Sequence, residues 1–98
     1  DRLMRLLAAD GVAIDGVPIA GDTRESFTVR ELSTGRELRF VLPGPTLSEA
    51  EWRACLARLD GQPAGQWWVA SGSLPPGVPT DFFARVARLA RTAGCRLV

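Results

Sequence analysis

Apolar residues recur every three or four positions in three stretches of the chain, and this spacing predicts three amphipathic helices. The first stretch lies near the start of the chain and carries Leu3, Met4, Leu6 and Leu7. It stops before Gly11, a residue that suits the C-terminus of a helix. The apolar residues 12–14 that follow predict a short strand.

The second predicted helix begins with a capping box, because Ser48 is followed three residues later by Glu51. Its apolar positions form one stripe, made of Trp52, Cys55, Leu56 and Leu59. Residues 61–63, Gly-Gln-Pro, end the pattern.

The third predicted helix follows Thr80, which we expect to act as its N-cap. Its inward positions are apolar: Phe82, Phe83, Val86, Leu89 and Ala90. Its outward positions are three arginines, Arg85, Arg88 and Arg91. We interpret these arginines as a solvated helix face and not as a nucleic-acid patch.

Two runs of alternating apolar and polar residues lie between the first and second helices. Phe27 and Val29 alternate in one run, and Leu38, Phe40 and Leu42 alternate in the other. Residues 33–35, Ser-Thr-Gly, join the runs, so the pattern predicts a β-hairpin with one polar face.

Strand patterns also flank the third helix. Residues 66–70 form an apolar run before it, and another apolar run begins after Gly94. A strand–helix–strand order is typical of parallel sheets, so the sequence predicts an α/β fold with a parallel sheet, flanking helices and one added hairpin.

The residues between the first of these strands and the third helix are typical of a ligand-binding loop. Residues 71–77 read Ser-Gly-Ser-Leu-Pro-Pro-Gly. Open α/β sheets bind ligands where a strand passes into a loop and then a helix. Ser71 and Ser73 offer hydroxyls, and Gly72 lets a ligand approach the backbone.

Composition narrows the chemistry that the chain can perform. All 12 basic residues are arginine, and the 98 residues include no lysine, histidine or tyrosine. These absences exclude a P-loop lysine, a Schiff-base lysine, a Ser-His-Asp triad and a histidine metal ligand within this sequence. The net charge of +1 gives no reason to expect nucleic acid as a partner.

Length and the ends of the sequence bear on its class and location. We expect a single unit over 1–98, with no membrane segment and a cytoplasmic location. We also expect Cys55 and Cys95 to be reduced thiols rather than a disulfide. The chain opens within a helical pattern and stops as an apolar run begins. We interpret it as an internal piece of a longer protein.

Three motifs in order resemble the ribokinase-like carbohydrate kinases, in the phosphofructokinase B branch. Residues 71–77 are similar to the central motif of that family. Residues 22–24, Asp-Thr-Arg, resemble the threonine–arginine step at the start of the family's lid. Residues 38–45, Leu-Arg-Phe-Val-Leu-Pro-Gly-Pro, resemble the end of the lid, and 48–52 match the start of the acidic helix that follows it.

The resemblance implies a Rossmann-type ribokinase-like body with a β-sheet lid over the sugar, here the hairpin at about 22–43. It implies transfer of the γ-phosphoryl group of ATP, with Mg²⁺, to a hydroxyl of a phosphorylated ketohexose. By motif position, Arg24 would contact the sugar phosphate and Ser73 would lie beside the substrate at a strand end, with Arg39 a weaker candidate on the hairpin. Ser71 and Gly72 are candidates from the chemistry of the loop alone.

The resemblance also implies what the sequence lacks. The family's catalytic aspartate and most of its ATP and Mg²⁺ sites belong to motifs outside these residues, so the resemblance assigns no catalytic or metal-binding residue here. The family often forms homodimers through the lid sheet, which makes a second copy the expected partner beside the sugar phosphate.

Other interpretations stay open at the level of sequence. Arg24 fits a solvated strand entrance, Arg39 fits a surface ion pair with Glu37, and the serine hydroxyls fit hydrogen bonds to their own loop. A kinase of an unphosphorylated sugar or nucleoside is one alternative function. A non-catalytic module whose hairpin pairs with a partner's sheet edge is another.

Overall fold

The computed structural model describes residues 2–98, which contain three α-helices and four β-strands. The elements follow in the order α1 (Arg2–Ala9), β1 (Ser26–Arg30), β2 (Glu37–Val41), α2 (Glu49–Ala57), β3 (Trp67–Trp68), α3 (Phe82–Thr92) and β4 (Arg96–Leu97). The three predicted helices are therefore confirmed. None of the helices within these residues is long and apolar enough to cross a membrane.

The prediction of a strand at residues 12–14 is wrong. Residues 12–25 form an irregular segment, here called the strap, that runs from α1 to the hairpin. Within the described residues no strand pairs with 12–14, and a β-strand needs a partner for its backbone hydrogen bonds. The strap is held by side chains instead, including an ion pair of 3.1 Å between Asp15 and Arg58 beyond α2.

The predicted hairpin is confirmed, with β1 and β2 antiparallel and joined by a tight turn. Phe27 lies opposite Phe40 and Val29 opposite Leu38, so these four apolar residues share one face. The two phenylalanine rings stack with centroids 5.1 Å apart. All the residues of both strands are exposed, so the apolar face packs against no other part of the described chain.

The predicted strand–helix–strand unit is also confirmed, because β3 and β4 are parallel and α3 connects them. Backbone hydrogen bonds of 2.9 Å extend the pairing beyond the assigned strands, from Arg96 N–H to the Gln66 carbonyl and from Ala70 N–H to the Val98 carbonyl. The chain is thus a two-stranded parallel sheet with its crossover helix, together with a separate two-stranded hairpin.

The buried core lies between α2 and α3 and consists of Trp52, Val86 and Ala90. The guanidinium carbons of Arg53 and Arg85 lie 5.0 and 5.2 Å from the centroid of the Trp52 ring. Arg85 therefore helps to cover the core, whereas the sequence pattern had assigned it to a solvated face.

The N-cap of α3 differs from the prediction. Asp81, and not Thr80, occupies the cap position, and its side chain caps no backbone N–H. The Asp81 carboxylate instead accepts hydrogen bonds of 3.0 Å from Nε of Arg85. This pairing holds the pKa of Asp81 below its ordinary value, chiefly through the Arg85 hydrogen bond.

Candidate functional site

The serine–glycine–proline loop presents its polar groups to solvent. Ser71, Gly72 and Ser73 are all exposed, and within the described chain neither hydroxyl forms a hydrogen bond to the protein. The interpretation that these serines cap their own loop is therefore wrong. Gly72 has a φ of 94°, and a Cβ placed there would meet nothing within 4 Å, so this backbone is open to an approaching ligand.

The far end of the loop is fixed by the connector, which we define as residues 43–48 between β2 and α2. The N–H of Leu47 donates a 2.8 Å hydrogen bond to the carbonyl of Pro76. Gly77 has a φ of 86°, and a Cβ there would lie under 3.0 Å from the Leu47 carbonyl oxygen. Glycine is required at position 77 for both reasons.

Arg24 lies at the end of the strap, immediately before the hairpin, and rests against the same connector. A Cβ added to Gly44 would lie 3.6 Å from Cδ of Arg24, the distance of an ordinary van der Waals contact. Gly21 is packed more tightly, because a Cβ there would lie 2.5 Å from Cβ of Pro45. The strap thus meets the connector at two successive positions.

The connector therefore links the two groups of residues that the sequence singled out. Gly44 lies beside Arg24, and Leu47 holds the loop. The Cα atoms of Gly44 and Leu47 are separated by no more than about 11 Å of extended chain. Arg24 and the loop that carries Ser71, Gly72 and Ser73 thus both adjoin the connector.

An open cavity of about 1030 Å³ lies between α1, the strap and the end of β2. Arg24 lines this cavity together with Asp22, Thr23 and Glu25. Ser71 and Ser73 are not among its lining residues, so this cavity does not bring the two groups of candidates together.

Arg39 lies apart from both groups. It is exposed in the middle of β2, opposite Thr28, and does not line the cavity of Arg24. The ion pair expected between Arg39 and Glu37 is not formed in the part of the chain that the structure describes. Side chains two positions apart on a strand share a face, but the backbone holds them about 7 Å apart.

Glu51 contacts the strap that leads to Arg24, which the sequence did not reveal. Its Oε1 accepts a 2.6 Å hydrogen bond from the N–H of Ala20 in the strap, and its Oε2 accepts one of 2.7 Å from the N–H of Ser48. These backbone donors, Ser48 first and Ala20 second, hold the pKa of Glu51 below its ordinary value of 4.5. The capping box predicted the Ser48 bond, and no sequence signal pointed to Ala20.

The described residues contain no group of three or more acidic, cysteine or histidine side chains that could hold a metal ion.

Comparison with known proteins identifies the fold and the class of protein to which the chain is similar. No protein-family model matches the chain. The chain is 50% identical over 97 residues to the ATP-dependent 6-phosphofructokinase isozyme 2 of Mycobacterium tuberculosis. This match covers 98% of this chain and 29% of that protein. It superimposes on phosphofructokinase-2 from Escherichia coli in complex with fructose-6-phosphate with a TM-score of 0.90 and 33% identity, covering 99% of this chain and 32% of that one.

A second structure of the Escherichia coli enzyme, its tetrameric inhibited form, gives a TM-score of 0.88 at 33% identity over 98% of this chain and 32% of that one. The parallel unit and hairpin are therefore part of a ribokinase-like carbohydrate kinase fold. The chain belongs to the phosphofructokinase B branch of that family, as the sequence motifs indicated. It spans less than a third of the length of these relatives.

Proposed function

We propose that the chain is the substrate-binding and lid segment of an ATP-dependent sugar-phosphate kinase of the phosphofructokinase type. In the complete protein the γ-phosphoryl group of ATP would pass to a hydroxyl of a phosphorylated ketohexose. The catalytic base and most of the ATP and Mg²⁺ sites would come from residues outside this chain. The two free cysteines suit a reducing compartment, and we include a cytoplasmic location in the proposal.

The observation that carries the proposal is the position of Arg24. Its side chain lines an open cavity of about 1030 Å³ and lies beside the connector that also holds the serine loop. A guanidinium is permanently charged and grips two phosphate oxygens at once. The free hydroxyls of Ser71 and Ser73 suit hydrogen bonds to the sugar, with Ser73 the stronger candidate by its place in the motif.

Phosphoryl transfer depends mainly on positioning and on electrostatic stabilisation of the transferring group. This chain's share in the proposal is positioning, because Arg24 would fix the phosphate end of the sugar and the loop would fix its hydroxyls. A substrate without a phosphate would leave Arg24 without an anionic partner, which favours a sugar phosphate over a neutral sugar or a nucleoside.

The proposal is tested by steady-state kinetics of the complete protein with Arg24→Ala. We expect KM for fructose 6-phosphate to rise by roughly tenfold to a hundredfold, the cost of a charge-assisted contact. Arg91→Ala, which removes an exposed arginine from α3, is the matched control and should leave KM unchanged. Equal KM values for Arg24→Ala and the parent protein would refute the role of Arg24.

The same assay separates the possible substrates. Fructose 6-phosphate, fructose 1-phosphate, tagatose 6-phosphate and ribose should be compared as phosphoryl acceptors. Turnover of ribose with no turnover of the phosphorylated sugars would favour the alternative of a kinase for a neutral sugar. Arg39→Ala belongs in this series, and we expect a smaller effect than that of Arg24→Ala because Arg39 does not line the cavity.

We propose in addition that two copies of the protein associate through their lid hairpins. The support is the apolar face of Phe27, Val29, Leu38 and Phe40, which is exposed in the described part of the chain. Phe27→Asp should shift the complete protein to a lower mass in sedimentation equilibrium, whereas Thr28→Asp on the opposite face should not. An unchanged mass for Phe27→Asp would rule out this interface.

A further inference from the structure

We propose that Glu51 is a positioning residue for substrate binding, acting through the strap on Arg24. This inference rests on the proposed function of Arg24 as the phosphate contact. It extends that function to a residue on another element, which touches neither the cavity nor the serine loop.

The geometry shows how the two residues are coupled. Glu51 lies in the first turn of α2 and accepts the N–H of Ala20 at 2.6 Å. Ala20 is followed by Gly21, which packs on Pro45, and the strap reaches Arg24 three residues further on. The side chain of Arg24 lies beside Gly44, where a methyl group at Gly44 would be in van der Waals contact with it. The strap before Arg24 is therefore held on one side by α2 and on the other by the connector.

The carboxylate suits this role because it accepts two backbone donors that come from separate segments. One oxygen takes Ala20 N–H and the other takes Ser48 N–H, so the side chain joins the strap to the start of α2. A glutamine has one carbonyl oxygen and would satisfy one donor only, with its NH₂ group facing the other. The Ala20 bond also spans 31 residues of sequence, which capping of α2 does not require.

The first test is local and does not depend on function. Hydrogen–deuterium exchange of the Ala20 amide in the complete protein should be faster in Glu51→Gln than in the parent protein. Glu49→Gln is the matched control, because Glu49 occupies the same turn but pairs with Arg53 and not with the strap. Unchanged exchange at Ala20 in Glu51→Gln would refute the contact itself.

The second test is a double-mutant cycle with Arg24→Ala, measured as KM for fructose 6-phosphate. Glu51→Gln alone should raise KM on the order of tenfold with kcat nearly unchanged, and it should add almost nothing in the Arg24→Ala background. An equal rise in both backgrounds would overturn the inference, because Glu51 would then act independently of Arg24.

Two further results keep the outcomes distinct. If Arg24→Ala has no effect on KM, the proposed function of Arg24 is refuted, and this inference is refuted with it. The exchange rate of the Ala20 amide still tests the hydrogen bond between Glu51 and Ala20. If Glu51→Gln does not fold, Ala20→Pro removes the donor and leaves the capping box intact. Ala20→Pro should then reproduce the rise in KM, and a folded Ala20→Pro protein with normal KM would contradict the inference.

Discussion

Gly77→Ala provides a sharp test of how the serine loop is anchored. The substitution adds a methyl group at a residue whose φ is 86°, a conformation that is unfavourable for any residue with a Cβ. The new Cβ would also lie under 3.0 Å from the Leu47 carbonyl oxygen, a backbone atom that cannot move aside without the connector. Two separate penalties therefore fall on one site.

The magnitude follows from these two penalties. Backbone strain costs about 1–3 kcal/mol, and loss of the hydrogen bond from Leu47 to Pro76 costs about 0.5–1.5 kcal/mol more if the connector shifts. We expect Gly77→Ala to lower the free energy of unfolding of the complete protein by about 2–4 kcal/mol. The measurement is a urea unfolding curve followed by tryptophan fluorescence.

Gly72→Ala is the matched control for Gly77→Ala. Gly72 has a similar φ of 94°, but a Cβ there meets nothing within 4 Å, so only the backbone strain applies. The difference between the two variants isolates the close approach to Leu47. Unfolding free energies that agree to within about 0.5 kcal/mol would show that the connector does not hold the loop at Gly77.

Two other predictions concern the core and the acid stability of the protein. Trp52→Ala should destabilise the complete protein by about 3–5 kcal/mol in urea unfolding, because Trp52 is 7% exposed. A loss of less than about 1 kcal/mol would contradict the assigned core. The lowered pKa of Glu51 means that its contribution to stability is present above its unfolded value of 4.5 and is lost as the pH falls through its folded pKa. Glu51→Gln should therefore flatten the decline of the urea midpoint below about pH 4.5, and an unchanged profile would argue against the paired carboxylate.

The local period of apolar residues was sufficient to predict the hairpin and the helices. The alternation around Phe27 and Phe40 predicted the hairpin, and the stripe from Phe82 to Ala90 predicted α3, because each pattern repeats with the period of its structure. The three-residue run 12–14 is too short for a period to be seen. Whether such a run becomes a strand depends on a neighbouring strand, which local sequence does not specify.

The site was only partly predictable, for a related reason. The motifs singled out Arg24 and the loop at Ser71 and Ser73, but their separation depends on contacts with the connector that are distant in sequence. The bond between Glu51 and Ala20 spans 31 residues, and the donor is a backbone group that any residue but proline carries. The identity of residue 20 therefore does not indicate that its N–H binds Glu51.

The connector gives the hairpin and the binding residues different degrees of attachment. Arg24 lies two residues before β1 and Gly44 three residues after β2, and the two residues are neighbours at the base of the hairpin. All the residues of β1 and β2 beyond that base are exposed, so the hairpin is fastened where it joins the body. Arg24 therefore belongs to the base of the proposed lid, beside the connector, and not to its exposed strands.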